Sequence, residues 1–406
     1  IDERHPTNTP MLLNDFLYGT TSLGGFNGKG VIYKVKKDGS QFEYLHHFHP
    51  ASGSLPYSAL LLSENKLIGS TIEGGTHDKG VLYEYDLLNH NFSMLYSFDG
   101  TNGEVPKENL IQDNNLIFGT TGLGGLYNKG VIYSYDLNNN NYSVLYSFDE
   151  SNGSSPQGAL MKIDNVLYGI CRSGGIYGYG VIYKYDINNN VYSILHSFDN
   201  SSGGNPITGL TKSDNILYGI CSSGGLYDHG VIFNFDLNNS NYLTLHSFDG
   251  IDGFMPQGNL FFSNNGLYGN FRYGGRLDGG GIFKYDLNLN KYSLLYSFIP
   301  YETGKHPYCG LVKYNDIFYG TTYSGGVSEN GVLFSFKEQI KISMSISGNG
   351  EVSPRADNLE CIDGICTGDY WVANNGSLTL NFLSIGCDDI ADVLIDGTSI
   401  GAVDEY

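Results

Sequence analysis

Alternation of apolar and polar positions runs through most of this chain. GVIYSYD (130–136) sets Val131, Tyr133 and Tyr135 on one side, and NYSVLYSF (141–148) does the same with Tyr142, Val144, Tyr146 and Phe148. A two-residue period carried by aromatic and β-branched residues predicts strands. No window sustains the i, i+3, i+4, i+7 spacing of an amphipathic helix. Between residues 159 and 198 the pattern predicts four strands: ALMKI (159–163), VLYGIC (166–171), GVIYKYD (180–186) and VYSILHSF (191–198). Their connections are turn-like: Asp164-Asn165, the Gly174/Gly175 loop, Asn188-Asn189-Asn190, and a longer polar loop ending at Pro206. The opposite faces are also partly apolar, with Ile132 and Leu145, which suits a small sheet packed between two others.

The same unit recurs. LYGTTSLGG begins at Leu17, LIGSTIEGG stands fifty residues later, and IFGTTGLGG fifty after that. The first glycine of the phrase falls at Gly19, Gly69, Gly119, Gly169, Gly219, Gly269 and Gly320. A phenylalanine closes an apolar run at Phe48, Phe98, Phe148, Phe198, Phe248 and Phe298, and a proline follows at Pro56, Pro106, Pro156, Pro206, Pro256 and Pro307. Four short antiparallel strands repeated seven times with this period predict an all-β, seven-bladed β-propeller over residues 1–337. The closing glycines of each phrase are expected to supply positive φ between the second and third strands, at no steric cost.

These spaced motifs, LYGTT-x-x-GG, then GVIY, then L-x-S-F-D-G-x-x-G-x-x-P, resemble the GloVer-type tandem repeat of exported bacterial proteins over roughly residues 6–336. The resemblance implies a propeller-like repeat and an extracellular or surface location. It implies no activity. Residues 338–406 differ in composition and hold the only tryptophan, Trp371. IKISMSISGNGEVSP (340–354) and the IADVLIDGTSIGAV hairpin (390–403) resemble an internalin-B-repeat-like module, a small C-terminal β domain of the spacer or adhesive kind. That module's final strand is missing, so this domain looks truncated.

Strand counting raises a question of closure. The first three strands of a unit occur seven times and the fourth only six. IKISMSI (340–346) could close the seventh blade, but only by leaving the tail without its opening strand. Either way an unpaired edge is expected, and unpaired edges invite strand pairing with another chain. The expectation is a longer natural polypeptide, or self-assembly through exposed strand edges.

Charge narrows the partners. Lys and Arg number 22 against 42 Asp and Glu, a formal net charge of −20. Such a chain is repelled by nucleic acid and by anionic membranes, and no apolar run is long enough to insert in a bilayer. The six cysteines show no zinc spacing. Cys171 and Cys221, on equivalent positions of adjacent units, read as small buried side chains, whereas Cys361 and Cys366 flank a short turn and suit a local disulfide.

On a symmetric scaffold, chemistry shows where symmetry breaks. Glu73 stands alone at its repeat position, with no second carboxylate beside it, and no hydrolase or phosphate-binding motif occurs, so the expectation is not an enzyme. The two positions before each Gly-Gly pair vary while the glycines stay fixed, as on a scaffold that presents specificity through loops. There the candidate ligand-binding residues are Glu73, Arg172, Arg272, Tyr273 and Tyr323. Arginine with tyrosine suits a glycan or a surface protein as partner. The loops at Asp99 and Asp249 could offer oxygens to Ca²⁺, although Asx-turns explain them too; no other cofactor is expected. The function this implies is non-catalytic recognition or adhesion through a propeller face. The alternative is a structural subunit of a surface appendage, fibre or coat.

Overall fold

A computed structural model describes the backbone of residues 4–6, 8–327 and 329–337, and of the tail strands between Gln339 and Ser399; side chains are described for residues 6, 8–327 and 329–337. Every element among these residues is a strand. The chain forms two compact units, residues 1–312 with 319–334, and residues 313–318 with 335–406.

The first unit is the propeller. In the fourth blade Ser154–Ile163, Val166–Ser173, Val181–Asp186 and Val191–Ser197 pair antiparallel in chain order, and the first six blades share this arrangement, while the described part of the seventh ends at its third strand position. One expectation needs adjusting. Pro156 lies inside the innermost strand, opposite Cys171, rather than at the end of a loop. The innermost strand has a partner on one side only, so a residue without an N–H costs it no ladder bond. In the first, second, fifth and seventh blades this strand is broken in two, as with Arg4–Pro6 and Met11–Leu13, both paired to Phe16–Leu23.

Both faces of each sheet are buried. Val131, Ile132 and Tyr133 are all fully enclosed, as the apolar residues on both sides of GVIYSYD required. The first glycine of the repeated phrase makes room for the third strand's aromatic ring: a Cβ at Gly69 would lie 2.4 Å from the Tyr83 hydroxyl. The closing pair does adopt positive φ, 88° at Gly24 and 74° at Gly25.

Neighbouring blades lock through aromatic rings. Tyr96 stacks on Tyr142 at 3.9 Å, Tyr146 on Tyr192 at 4.2 Å, His196 on Tyr242 at 4.1 Å and His246 on Tyr292 at 4.2 Å. The second ring of each pair then donates its hydroxyl to a backbone carbonyl of the preceding blade, as Tyr242 does to Ser202 at 2.7 Å and Tyr292 to Asp252 at 2.6 Å. Glycine–proline packing closes the ring. A Cβ at Gly130 would lie 2.6 Å from Pro156 Cδ, and one at Gly230 would lie 2.7 Å from Pro256 Cδ. The equivalent Gly331 of the seventh blade meets Pro6 of the first, at 3.0 Å.

In the tail, one sheet runs in the order Asp357–Ile362, Ile365–Ala373, Gln339–Ser347, Asp392–Ile395, Thr398–Ser399. IKISMSI therefore opens the tail sheet and does not close the seventh blade. Among the described residues no strand pairs with the outer side of Leu333–Lys337, the last strand of that blade. Cys361 and Cys366 face each other across a hairpin register, but their side chains, and so the expected disulfide, lie outside the described residues. Cys171, Cys221 and Cys309 are free and buried.

Candidate binding site at the channel mouth

The innermost strands surround a central channel. At one end lies a cavity of about 210 Å³ to which all seven blades contribute, for example through Asn8, Tyr57, Lys107, Gln157, Thr208, Gln257 and Tyr308. All seven are the first or second residue after the proline of the innermost strand. Further along the same strands a second cavity of about 410 Å³ is lined mainly by apolar residues, among them Leu60, Leu110, Leu260 and Leu311. The channel is thus polar at this mouth and more apolar further along.

Parallel innermost strands of adjacent blades do not share a backbone ladder, so side chains tie them together. Asn109 Oδ1 accepts from the Ala59 N–H at 2.7 Å, Asn259 Oδ1 from Gly209 at 2.8 Å, and Glu108 Oε2 from Gly158 at 2.6 Å. Asn270 Nδ2 donates to the Cys309 carbonyl at 2.7 Å. These bonds fix the floor of the mouth.

Three cations line it: Lys107, Arg172 and Arg272. One carboxylate accompanies them. The Glu108 side chain is 13% exposed, with Lys107 Nζ 3.9 Å away. Burial pushes its carboxyl above the usual range, and Lys107 and the Gly158 N–H pull it partway back. Arg172 is exposed. Arg272 is half-buried, with its guanidinium 5.0 Å from the Tyr273 ring and 5.9 Å from the Tyr308 ring. Neither arginine is in an ion pair among the described residues.

Polar atoms without partners gather here. Arg272 Nε, Gln157 Nε2 and Thr208 Oγ1 are buried, bonded to nothing in the protein, and belong to residues that line the cavity. Leaving such a group unpaired costs about 1–3 kcal/mol, so each one points to a partner that is not part of the chain.

Of the residues expected from sequence, Arg172 and Arg272 line this cavity. Glu73, Tyr273 and Tyr323 lie outside its lining. Glu73 is exposed on the rim. Tyr273 is held between Phe254 and His306, at 5.1 and 4.7 Å. Tyr323 packs near Tyr308 at 6.1 Å. Alternation along the second strand separates Arg172 and Arg272 from Glu73 and Tyr273, which sit one residue on and face the other way; Tyr323 shares the phase of the arginines but does not line the cavity. Lys107, Glu108, Gln157, Gln257 and Tyr308 were missed. They carry the same signal as the rim, variation beside a fixed residue, but beside the proline rather than the glycines. As for calcium, Asp99 Oδ1 accepts from Thr101 and Asn102, and Asp249 Oδ1 accepts from the Ile251 and Asp252 N–H groups. Both carboxylates are engaged inside their own turns, and no cluster of three metal-ligating side chains occurs among the described residues.

Sequence comparison settles the kinship. The profile of the Gloeobacter/Verrucomicrobia repeat matches residues 2–178 and again residues 162–376. The chain belongs to that family. No curated protein matches it. Among solved structures, this repeat propeller is similar to oligogalacturonate lyase from Vibrio parahaemolyticus, with 9% identity and a TM-score of 0.55 over 83% of this chain and 90% of that one. It is also similar to the extracellular domain of a B. thetaiotaomicron protein classed with hybrid two-component systems, with 10% identity, a TM-score of 0.55, and 86% of this chain but 44% of that one covered. A puromycin-hydrolyzing peptidase from Mycobacterium tuberculosis gives 10% identity and a TM-score of 0.53, over 82% of this chain and 52% of that one. At such identities the likeness is one of fold. Two enzymes and the extracellular domain of a two-component system share it, so the fold alone does not decide activity. No helix among the described residues is long and apolar enough to cross a membrane.

Proposed function

We propose that this protein is an extracellular or surface recognition protein that binds a glycan or a protein, without catalysis, through the propeller face carrying the channel mouth. The observation that supports it is the set of buried donors without partners, Arg272 Nε and Gln157 Nε2, beside two unpaired arginines in a chain of net charge −20. A folded chain keeps such costs where a ligand offsets them. The test is a glycan array probed with the wild-type protein and with an Arg172→Ala/Arg272→Ala double variant of matched thermal stability. Binding that is lost in the double variant supports the mouth as the site; binding that persists unchanged moves it elsewhere.

A second reading, a block in a surface assembly, is favoured by one observation, the outer side of Leu333–Lys337, which has no partner strand among the described residues. Electron microscopy of the purified protein at high concentration tests it: ordered fibres or arrays support assembly, and dispersed single particles argue against it.

A further inference from the structure

The mouth is specific enough in its chemistry to name a class of ligand. This step rests on the reading of the mouth as the recognition site. Five arginines occur in the whole chain, and two of them line one cavity of about 210 Å³. A guanidinium is a planar fork that matches a carboxylate in two parallel hydrogen bonds. The buried Nε of Arg272 is free to make one of those bonds. Drug-sized ligands need cavities of about 300–1,000 Å³, so this one suits a single ring with its substituents.

The remaining lining is suited to a sugar. Gln157 Nε2 and Thr208 Oγ1 are buried and unpartnered, which is what hydroxyl oxygens on a small ring would satisfy. Tyr57 and Tyr308 line the same space, and aromatic side chains suit the C–H side of a pyranose. With Glu108 ionised, Lys107, Arg172 and Arg272 leave a net local charge of about +2, which favours an anionic ligand, and the planar carboxylate matches the arginine fork.

We propose that the channel mouth binds a uronate, a carboxylate-bearing pyranose within an acidic glycan, with the carboxylate on Arg272 and Arg172 and the ring hydroxyls on Gln157 and Thr208. The glycan is the occupant, rather than an acidic peptide, because a uronate carries hydroxyl acceptors on the same ring as its carboxylate, whereas the backbone carbonyls of a peptide stand a side chain's length away from its anion.

The experiment is isothermal titration calorimetry with trigalacturonate and triglucuronate, against their neutral counterparts built from galactose and glucose, and against a tri-glutamate peptide. A charge-assisted hydrogen bond contributes about 1.5–3 kcal/mol, so Arg272→Gln is expected to weaken uronate binding about tenfold or more and to leave neutral sugars unchanged. Arg172→Gln, an exposed change, provides the second variant if Arg272→Gln disturbs folding. The inference falls, while the recognition reading stands, if neutral trisaccharides bind as tightly as uronates and lose affinity equally in either variant. It falls likewise if the glutamate peptide binds more tightly than both uronates. If no saccharide or peptide binds and the array is also blank, the recognition reading falls with it.

Discussion

The same substitution should have opposite signs at two ring positions. The third strand of blades two, three and four carries Tyr83, Tyr133 and Tyr183, each fully enclosed. Their hydroxyls are buried and have no hydrogen-bond partner. The equivalent residues of the next blades are Phe233, Phe283 and Phe334, which fill the same slot over the repeated glycine without a hydroxyl: a Cβ at Gly119 would lie 2.5 Å from the Tyr133 hydroxyl, and one at Gly269 would lie 2.5 Å from Phe283 Cζ. An unpartnered buried hydroxyl costs about 1–3 kcal/mol, and the phenylalanine ring keeps the rest of the packing. Tyr133→Phe is therefore expected to stabilise the fold by about 1 kcal/mol. The triple change at 83, 133 and 183 should add up to about 3 kcal/mol, because the sites lie in separate blades and share no partner. Tyr242 is the control. Its hydroxyl donates to the Ser202 carbonyl at 2.7 Å, so Tyr242→Phe removes a bond across the blade interface and should cost about 1 kcal/mol. Urea unfolding with matched m-values reads both effects. A loss of stability in Tyr133→Phe would refute the reasoning, since it would mean that the hydroxyl has a partner, such as an ordered water in the channel. Equal signs at 133 and 242 would refute the distinction between the two ring positions.

Three further outcomes follow from the same structure. Burial lowers the imidazole of His46 to about 4 and also lowers that of His196, so between roughly pH 6.5 and 4 the unfolded chain binds more protons than the folded one. Stability should hold above that window and fall as pH drops through it, and His196→Tyr, which copies Tyr146, should flatten the slope of unfolding midpoint against pH. Gly130→Ala, at φ 97° and with a Cβ 2.3 Å from the Thr121 carbonyl oxygen, should cost several-fold more in denaturant stability than Gly28→Ala, at φ 67° with nothing within 4 Å, whose strain is about 1–2 kcal/mol. Finally, Glu108→Gln removes the one carboxylate of the mouth, keeps an acceptor for the Gly158 N–H, and should tighten trigalacturonate binding in calorimetry; unchanged or weaker binding would separate Glu108 from the charge balance of the site.

The chain's own order determined the architecture, because each blade is a local object. Its four strands lie within about fifty consecutive residues, so the period of Gly19 to Gly320, the alternation of Val131, Tyr133 and Tyr135, and the positive-φ glycines at Gly24 and Gly25 can all be seen without knowing any long-range contact. Even two members of the candidate site, Arg172 and Arg272, stood out as irregularities in a regular frame. What the order of residues did not determine is convergence. Lys107, Gln157, Arg272 and Tyr308 meet only because seven blades close on Pro6 and bring the starts of their innermost strands to one axis. Which rim residue turns inward depends on strand phase, so Arg272 lines the cavity while Tyr273, its neighbour, packs against Phe254 and His306. The place of IKISMSI was likewise open, since its alternation suits either sheet; pairing with Ile365–Ala373 over the length of the strand put it in the tail. Local pattern fixes what a segment can form, and the partner that buries its edge or completes its ring is chosen only in the folded chain.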